Sequence, residues 1–336
     1  KQWIEGGASW TISQIDPAVY VHGGGEKANK IWVQRLTVPE YGATVKAATG
    51  VDISKEAREL LPAELRADGF SNTAYNLNVD LKHVGAYARL AELIVERMDA
   101  EKFVKQYSNS KSLADDDAME LFVQDMGTWL LRGPLSQDEL YAFRGVLSTV
   151  ASAQGEFDEA ARFLIEAMLQ SPRFIYRIET QQGDGTAWPV TDYELASRLS
   201  YLIWGASPDE KLMRAAENGE LSDTAKMGVE ISRMLADPRA IERSQQFASE
   251  WLNLGRLANL APNPKHFPDW NPELATDMKA ETLAFFRTVV WDEKRPLSDL
   301  LSAQVTHASP RLAKFYGLPS KEGEGMAKYD LSENSG

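Results

Sequence analysis

His22-Gly23-Gly24-Gly25 has the form of the oxyanion loop of some lipases and esterases, where backbone amides face a developing negative charge. Such a loop needs a serine on a Gly-x-Ser-x-Gly elbow, and Gly69-Phe70-Ser71-Asn72-Thr73 is only a near miss, so a flexible glycine turn is the simpler reading. The four histidines, His22, His83, His266 and His307, lie far apart in sequence, and none has a partner at His-Glu-x-x-His spacing. Capping or half-buried roles suit them better than a zinc site. Asp115-Asp116-Asp117, followed by Glu120, offers hard oxygen ligands and makes calcium the one metal these residues could hold. An acidic first turn that complements a helix dipole accounts for the same residues, and the EF-hand order is absent. Nine tryptophans suggest either a sugar-stacking platform or an interface. Trp129, Trp204 and Trp251 fall on apolar helix faces and are expected in the core. Trp270, with His266 and Phe267 in a proline-rich loop, and Trp3 near the start are the expected interface residues. Arg132, Arg173, Arg198 and Arg239 recur beside caps and carboxylates and read as buried structural ion pairs.

Composition narrows the partners. The net charge is -13 with no basic stripe, so nucleic acid and anionic lipid would be repelled, and a basic protein partner fits better. The absence of cysteine excludes disulfides, thiolate metal sites, a cysteine nucleophile and haem attachment through Cys-x-x-Cys-His, so the visible chain is expected to bind no cofactor covalently. The longest apolar run, Leu199 to Trp204, is far below the roughly 18 residues that suggest a membrane span.

The elements that must position these residues are helices. Thr37 with Glu40, Ser136 with Glu139, and Thr191 with Glu194 have capping-box spacing, in which each partner satisfies an amide the helix leaves open. Ser207-Pro208-Asp209-Glu210, Asp237-Pro238, Asn271-Pro272-Glu273 and Ser309-Pro310 place proline where a helix start has no amide bond to lose. Apolar residues then recur at three and four, as in Leu195, Leu199 and Leu202, or Met278, Phe285, Phe286 and Val289. Phe157 to Leu169 is apolar nearly all round and is expected to be a central helix. Strand pieces are expected only near Trp10 to Ile15, Tyr20 to Val21 and Met326 to Leu331. The fold class is mainly α, with multi-helix bundle units packed in series and minimal β structure. Helical periodicity lapses at Ser108 to Asp117, Gln181 to Ala187 and Asn259 to Pro272. Met168-Leu169-Gln170-Ser171-Pro172-Arg173 and Met234-Leu235-Ala236-Asp237-Pro238-Arg239 share one turn grammar, too short to establish duplication.

Trp32 to Tyr41 (WVQRLTVPEY), Leu61-Pro62 and Gly69-Phe70-Ser71-Asn72 form one group of motifs. Arg132-Gly133-Pro134-Leu135-Ser136 with Gln170 to Glu179 forms a second. Tyr193 to Trp204, Met234 to Arg239, Trp251-Leu252 and Arg311 to Gly317 form a third. Together they resemble the planctomycete-type cytochrome c-associated proteins, a bacterial family built from tandem helical domains of unknown function. The resemblance implies a linker over 1–26, like the end of an upstream cytochrome c domain. Helical domains over 27–110, 111–182 and 183–318 follow, then a tail over 319–336 leading to a further domain. It also implies haem c on the upstream domain, a cytochrome c domain or other redox protein as partner, and a periplasmic or extracellular location. Relatives often carry cysteines in the connector matching Tyr107 to Phe122, where this chain has Ser108, Lys111 and Asp115 to Asp117, and the family supplies no catalytic residues to carry over.

Three functions therefore stand side by side. The first is a helical scaffold or docking module of an exported electron-transfer protein. The second is an enzyme acting on an extracellular polymer, with its site between helical units. The third is a structural subunit of a larger assembly.

Overall fold

The computed structural model describes residues 31–64, 70–71, 79–180 and 190–331. Trp3, the His22 loop, the strand pieces expected near residues 10–15 and 20–21 and the break at 181–187 lie outside the described residues. The chain divides into two compact units, Lys1–Ala67 with Ser71–Met234, and Asp68–Phe70 with Leu235–Gly336.

The described elements of unit 1 are first β1 (Ile31–Arg35), α1 (Val38–Thr49), α2 (Ser54–Leu60), α3 (Leu81–Arg97) and α4 (Ala100–Val104). It continues through α5 (Asp116–Leu130), α6 (Gln137–Ser152), α7 (Phe157–Leu169), α8 (Pro172–Ile175), β2 (Tyr176–Thr180), α9 (Asp192–Ile203), α10 (Glu210–Glu217) and α11 (Thr224–Leu235). All three expected capping boxes form, at Thr37, Ser136 and Thr191. A fourth, Asp80 with His83, starts α3; histidine in the third helical position hid it from the usual Glu/Gln pattern. The helix expected from Ser207 starts later, at Glu210, because Asp209 supplies the cap by accepting from the Leu212 amide.

Helix α7 is central, as its composition requires. It packs against α3, α4, α5, α6 and α8, and Ala160, Leu164, Ile165, Met168 and Leu169 are wholly shielded from solvent. Each such large side chain contributes roughly 1.5–3 kcal/mol of burial energy. Phe163 is the exception and faces outward. In α9 the buried stripe runs through Ala196, Leu199 and Ser200, so Leu202, expected on the inner face, is 72% exposed.

Tyr41 is fully buried and meets Tyr87 edge-on at 5.0 Å and Phe174 at 6.1 Å. Its hydroxyl has no hydrogen-bond partner among the described residues, and burial pushes the phenol far above its usual range. An unpaired buried hydroxyl costs on the order of 1 kcal/mol or more. Tyr41→Phe is therefore expected to stabilise unit 1 by about 1 kcal/mol in urea denaturation; a loss of stability would mean that the hydroxyl is satisfied.

One strand pair was not legible in the sequence. β1 and β2 pair antiparallel, from Ile31 opposite Thr180 to Arg35 opposite Tyr176. A lone two-stranded ribbon is marginal in water. This one is anchored by Arg177, whose guanidinium lies over Trp32 at 5.0 Å and over Tyr201 at 5.4 Å.

Unit 2 contains α12 (Pro238–Trp251), a 3-10 turn (Leu254–Asn259), α13 (Pro272–Arg287) and a π-helical turn (Thr288–Asp292). A second 3-10 turn (Leu297–Leu301), β3 (Val305–Ala308), α14 (Pro310–Tyr316) and β4 (Ala327–Asp330) complete it. The expected proline-led starts hold: Asp237, Asn271 and Ser309 cap α12, α13 and α14. β3 and β4 pair antiparallel over a small core of Leu274, Ala308, Leu312, Ala313 and Tyr329. The described residues are mainly helical with two small two-stranded sheets, as the sequence leads one to expect.

His307 on β3 is buried, with Nε2 3.1 Å from Thr288 Oγ1 in the π-helical turn and Nδ1 without a partner among the described residues. Burial, reinforced by the Lys328 ammonium, lowers its pKa, while Glu281, Asp292 and Glu293 oppose the shift. The unfolded state, with an ordinary pKa of about 6.5, then binds the proton more readily than the folded state. Stability of unit 2 is expected to be full above that pH and to fall as pH drops through it toward the lowered folded value. His307→Gln should flatten the melting temperature between pH 7 and pH 5; an unchanged slope would assign it to other groups.

Candidate functional site

The turn after α5 and the turn before β2 clasp each other through two arginines. Arg132, in a left-handed backbone conformation at φ 61°, is buried. Its Nη1 donates to Phe174 O at 3.2 Å, and its Nη2 donates to Tyr176 O at 2.8 Å and to Arg173 O. Arg173 returns the contact. Its Nη1 donates to Pro134 O at 3.0 Å and Glu139 Oε2 at 2.9 Å, and its Nη2 donates to Leu131 O at 3.3 Å and Gly133 O at 3.1 Å. Gly133 suits this close approach, since a Cβ there would lie a tight 3.3 Å from Arg173 Nη2 and 3.4 Å from Tyr193 Cβ.

Two carboxylates extend the clasp to α9. Glu179 on β2 is buried and accepts from Arg198 Nε at 2.9 Å and Nη2 at 2.6 Å, a bidentate pair that raises the Arg198 pKa. Glu194 accepts from the Thr180 amide at 2.7 Å and the Thr191 amide at 2.8 Å, tying the end of β2 to the start of α9. Both Arg132 and Arg177 place their guanidinium groups over the Tyr201 ring, at 5.6 and 5.4 Å from its centroid, and the Tyr201 hydroxyl is 2.8 Å from Thr44 Oγ1. Burial, aided by the charges of Arg173 and Arg177, lowers the Arg132 pKa, while Tyr201 acts in the opposite sense.

Arg132, Arg173, Glu139, Glu179 and Glu194 help to wall a cavity of about 670 Å³. Phe143, Tyr176 and Tyr193 supply apolar surface, and Ser136, Ser197 and Glu139 supply polar atoms. This size and mixture suit a small ligand or one unit of a larger one. Arg198→Ala would strand the Glu179 carboxylate under the fold. It is expected to cost unit 1 about 2–3 kcal/mol in urea denaturation, less than a fully buried pair because Arg198 is partly exposed. A change under about 0.5 kcal/mol would place Glu179 in water.

The sequence candidates are not gathered at this cavity. Asp115 caps α5, accepting from the Ala118 amide at 3.1 Å, while Asp116 and Glu120 pair with Arg144 at 2.8 and 2.7 Å. Asp117 is exposed in the same first turn. Among the described residues no group of three or more His, Asp or Glu side chains is arranged to hold a metal ion. His83 serves the α3 cap. His266 and Phe267 are exposed in the proline-rich loop, whereas Trp270 is half-buried and donates Nε1 to Leu260 O at 3.3 Å.

Of the tryptophans expected in the core, Trp204 is buried and donates to Met234 O at 3.0 Å; Trp129 is half-buried and donates to Ala48 O at 2.9 Å. Trp251 is 57% exposed, because it ends α12 with its ring against Phe247 on the surface. The expectation for the arginines needs a similar correction. Arg132 is buried against main-chain carbonyls, and Arg239 pairs with Asp237 two residues away at the α12 cap. Arg173 with Glu139 and Arg198 with Glu179 are the pairs that join distant segments.

Three family models match the chain in tandem. Residues 34–100 match PSD3, protein of unknown function (DUF1587). Residues 118–179 match PSD5, protein of unknown function (DUF1595), and residues 190–318 match PSD4, protein of unknown function (DUF1592). No curated protein and no solved structure matches the chain. No helix among the described residues is long and apolar enough to cross a membrane. Three successive, mainly helical stretches of the chain thus match these families, in the order PSD3, PSD5, PSD4.

Proposed function

We propose that the chain is a helical scaffold that docks a haem-c electron-transfer domain in an exported redox protein. The observation that carries the scaffold reading is the use of the polar groups around the cavity. Arg132, Arg173 and Glu139 are engaged with carbonyls and one another inside the second matched domain, Arg198 with Glu179 joins that domain to the third, and Glu194 holds the Thr180 amide in the connector between them. Groups bound in this way hold elements in register. The redox partner rests on the motif resemblance, and the net charge of -13 suits docking of a basic protein.

Titration with a basic c-type cytochrome in a calorimeter tests the docking step. Binding is expected at low ionic strength and should weaken steeply as salt shortens the screening length to about 10 Å at 0.1 M. No heat of binding at low salt would count against it.

A second reading, an enzyme acting on an extracellular polymer, is favoured by the cavity itself, whose lining draws on both the second and third matched domains and includes Asp138, Glu139, Glu179 and Glu194. Release of reducing ends from a neutral polysaccharide, abolished by Glu139→Gln without loss of fold, would establish it over the scaffold reading.

A further inference from the structure

Unit 2 carries a strip of aromatic rings, none of which lines the cavity. Phe247 and Trp251, one turn apart on α12, have centroids 6.1 Å apart and planes inclined by 17°. Phe70 adds a third ring, its centroid also 6.1 Å from that of Phe247, with planes inclined by 24°. Phe247 is 54% exposed and Trp251 57%. Near-parallel rings at this spacing are strongly offset, so much of each face stays uncovered.

A row of planar polar side chains runs beside the strip on the same helix. Arg243 Nη1 donates to Gln246 Oε1 at 3.0 Å, and Gln246 Nε2 donates to Glu250 Oε1 at 3.5 Å. Positions 243, 246, 247, 250 and 251 are spaced by three and four, so the polar and aromatic rows lie next to each other on one helical surface.

We propose that this strip is a binding platform for a neutral polysaccharide chain. A pyranose ring has a flat face of C–H groups that packs on an aromatic ring, and a rim of hydroxyls that pairs with planar amide, guanidinium and carboxylate groups. Three near-parallel rings joined through Phe247 offer stacking faces to more than one unit of a linear polymer, where one ring would serve a single sugar. Nucleic-acid bases also stack on such rows, but a chain of net charge -13 repels a polyanion. The platform is independent of the haem-docking role.

Native affinity electrophoresis of the full chain tests it, with hydroxyethyl cellulose, galactomannan or laminarin in the gel and carboxymethyl cellulose and single-stranded DNA as polyanionic controls. Retardation is expected in at least one neutral polymer and not in single-stranded DNA. The exposed substitutions Phe247→Ala and Trp251→Ala, combined, should weaken it by at least about tenfold, as truncation of an aromatic hot spot does. Phe247→Tyr and Trp251→Phe should retain it, since each keeps a flat ring. No retardation in any neutral polymer, or retardation unchanged by the double substitution, would overturn the proposal. So would a concentration-dependent dimer in sedimentation that the double substitution turns to monomer, which would make the strip a contact between copies.

Discussion

Arg132→Ala is expected to destabilise unit 1 by about 3–5 kcal/mol, because three main-chain carbonyls, those of Phe174, Arg173 and Tyr176, lose a charged donor in a water-excluded turn. For a unit of this size the loss corresponds to a fall in melting temperature of roughly 10 °C. Arg132→Lys should recover only part of the loss, since one ammonium cannot span three carbonyls as the planar fork does. Thermal and urea unfolding followed by circular dichroism measure both. A loss below about 1 kcal/mol would mean that water replaces the guanidinium and that the clasp is peripheral.

Phe174→Ala is expected to cost a similar amount, about 3–5 kcal/mol, by opening a cavity where a fully buried ring now meets Tyr41. The Arg132 guanidinium lies over the same ring at 5.9 Å from its centroid, and the Phe174 carbonyl accepts from Arg132 Nη1. The two sites therefore share partners. In a double-mutant cycle their effects should fall short of additivity by about 1 kcal/mol or more. Strict additivity would separate the aromatic core from the arginine clasp.

Both substitutions probe residues whose importance was partly legible from sequence. Helix starts were readable because capping is local chemistry: Thr37 with Glu40 or Asp237 with Pro238 carry their signal within a few residues. The central position of α7 was readable from its apolar content. The β1–β2 pair was not, because its partners lie about 145 residues apart, each strand is only five residues long, and β1 opens on three apolar residues in succession. Arg132 drew notice beside a cap, but its role came out differently. Whether an arginine meets a carboxylate or a carbonyl depends on a turn brought in from forty residues away, which periodicity does not encode. Trp251 failed for a related reason: the helical spacing that marks an apolar row is the same whether a core or open solvent lies beyond it. The cavity between the α5–α6 turn, β2 and α9 arises from such long-range pairings, so its lining was visible only as scattered motifs.

The scaffold reading also gives a role to the bonds between the end of the second matched stretch and the start of the third. Each bond that fixes β2 to α9, such as Glu194 on the Thr180 amide, holds neighbouring domain segments at a set distance. A docking module needs that constancy, since affinity is lost when a surface must first be ordered.

The most direct test is the absorption spectrum of the protein purified from its native source, recorded oxidised and dithionite-reduced across a gel-filtration peak. A haem-docking scaffold predicts c-type haem bands that co-elute with this chain in constant ratio. A peak containing the chain and no haem at any salt concentration would contradict it.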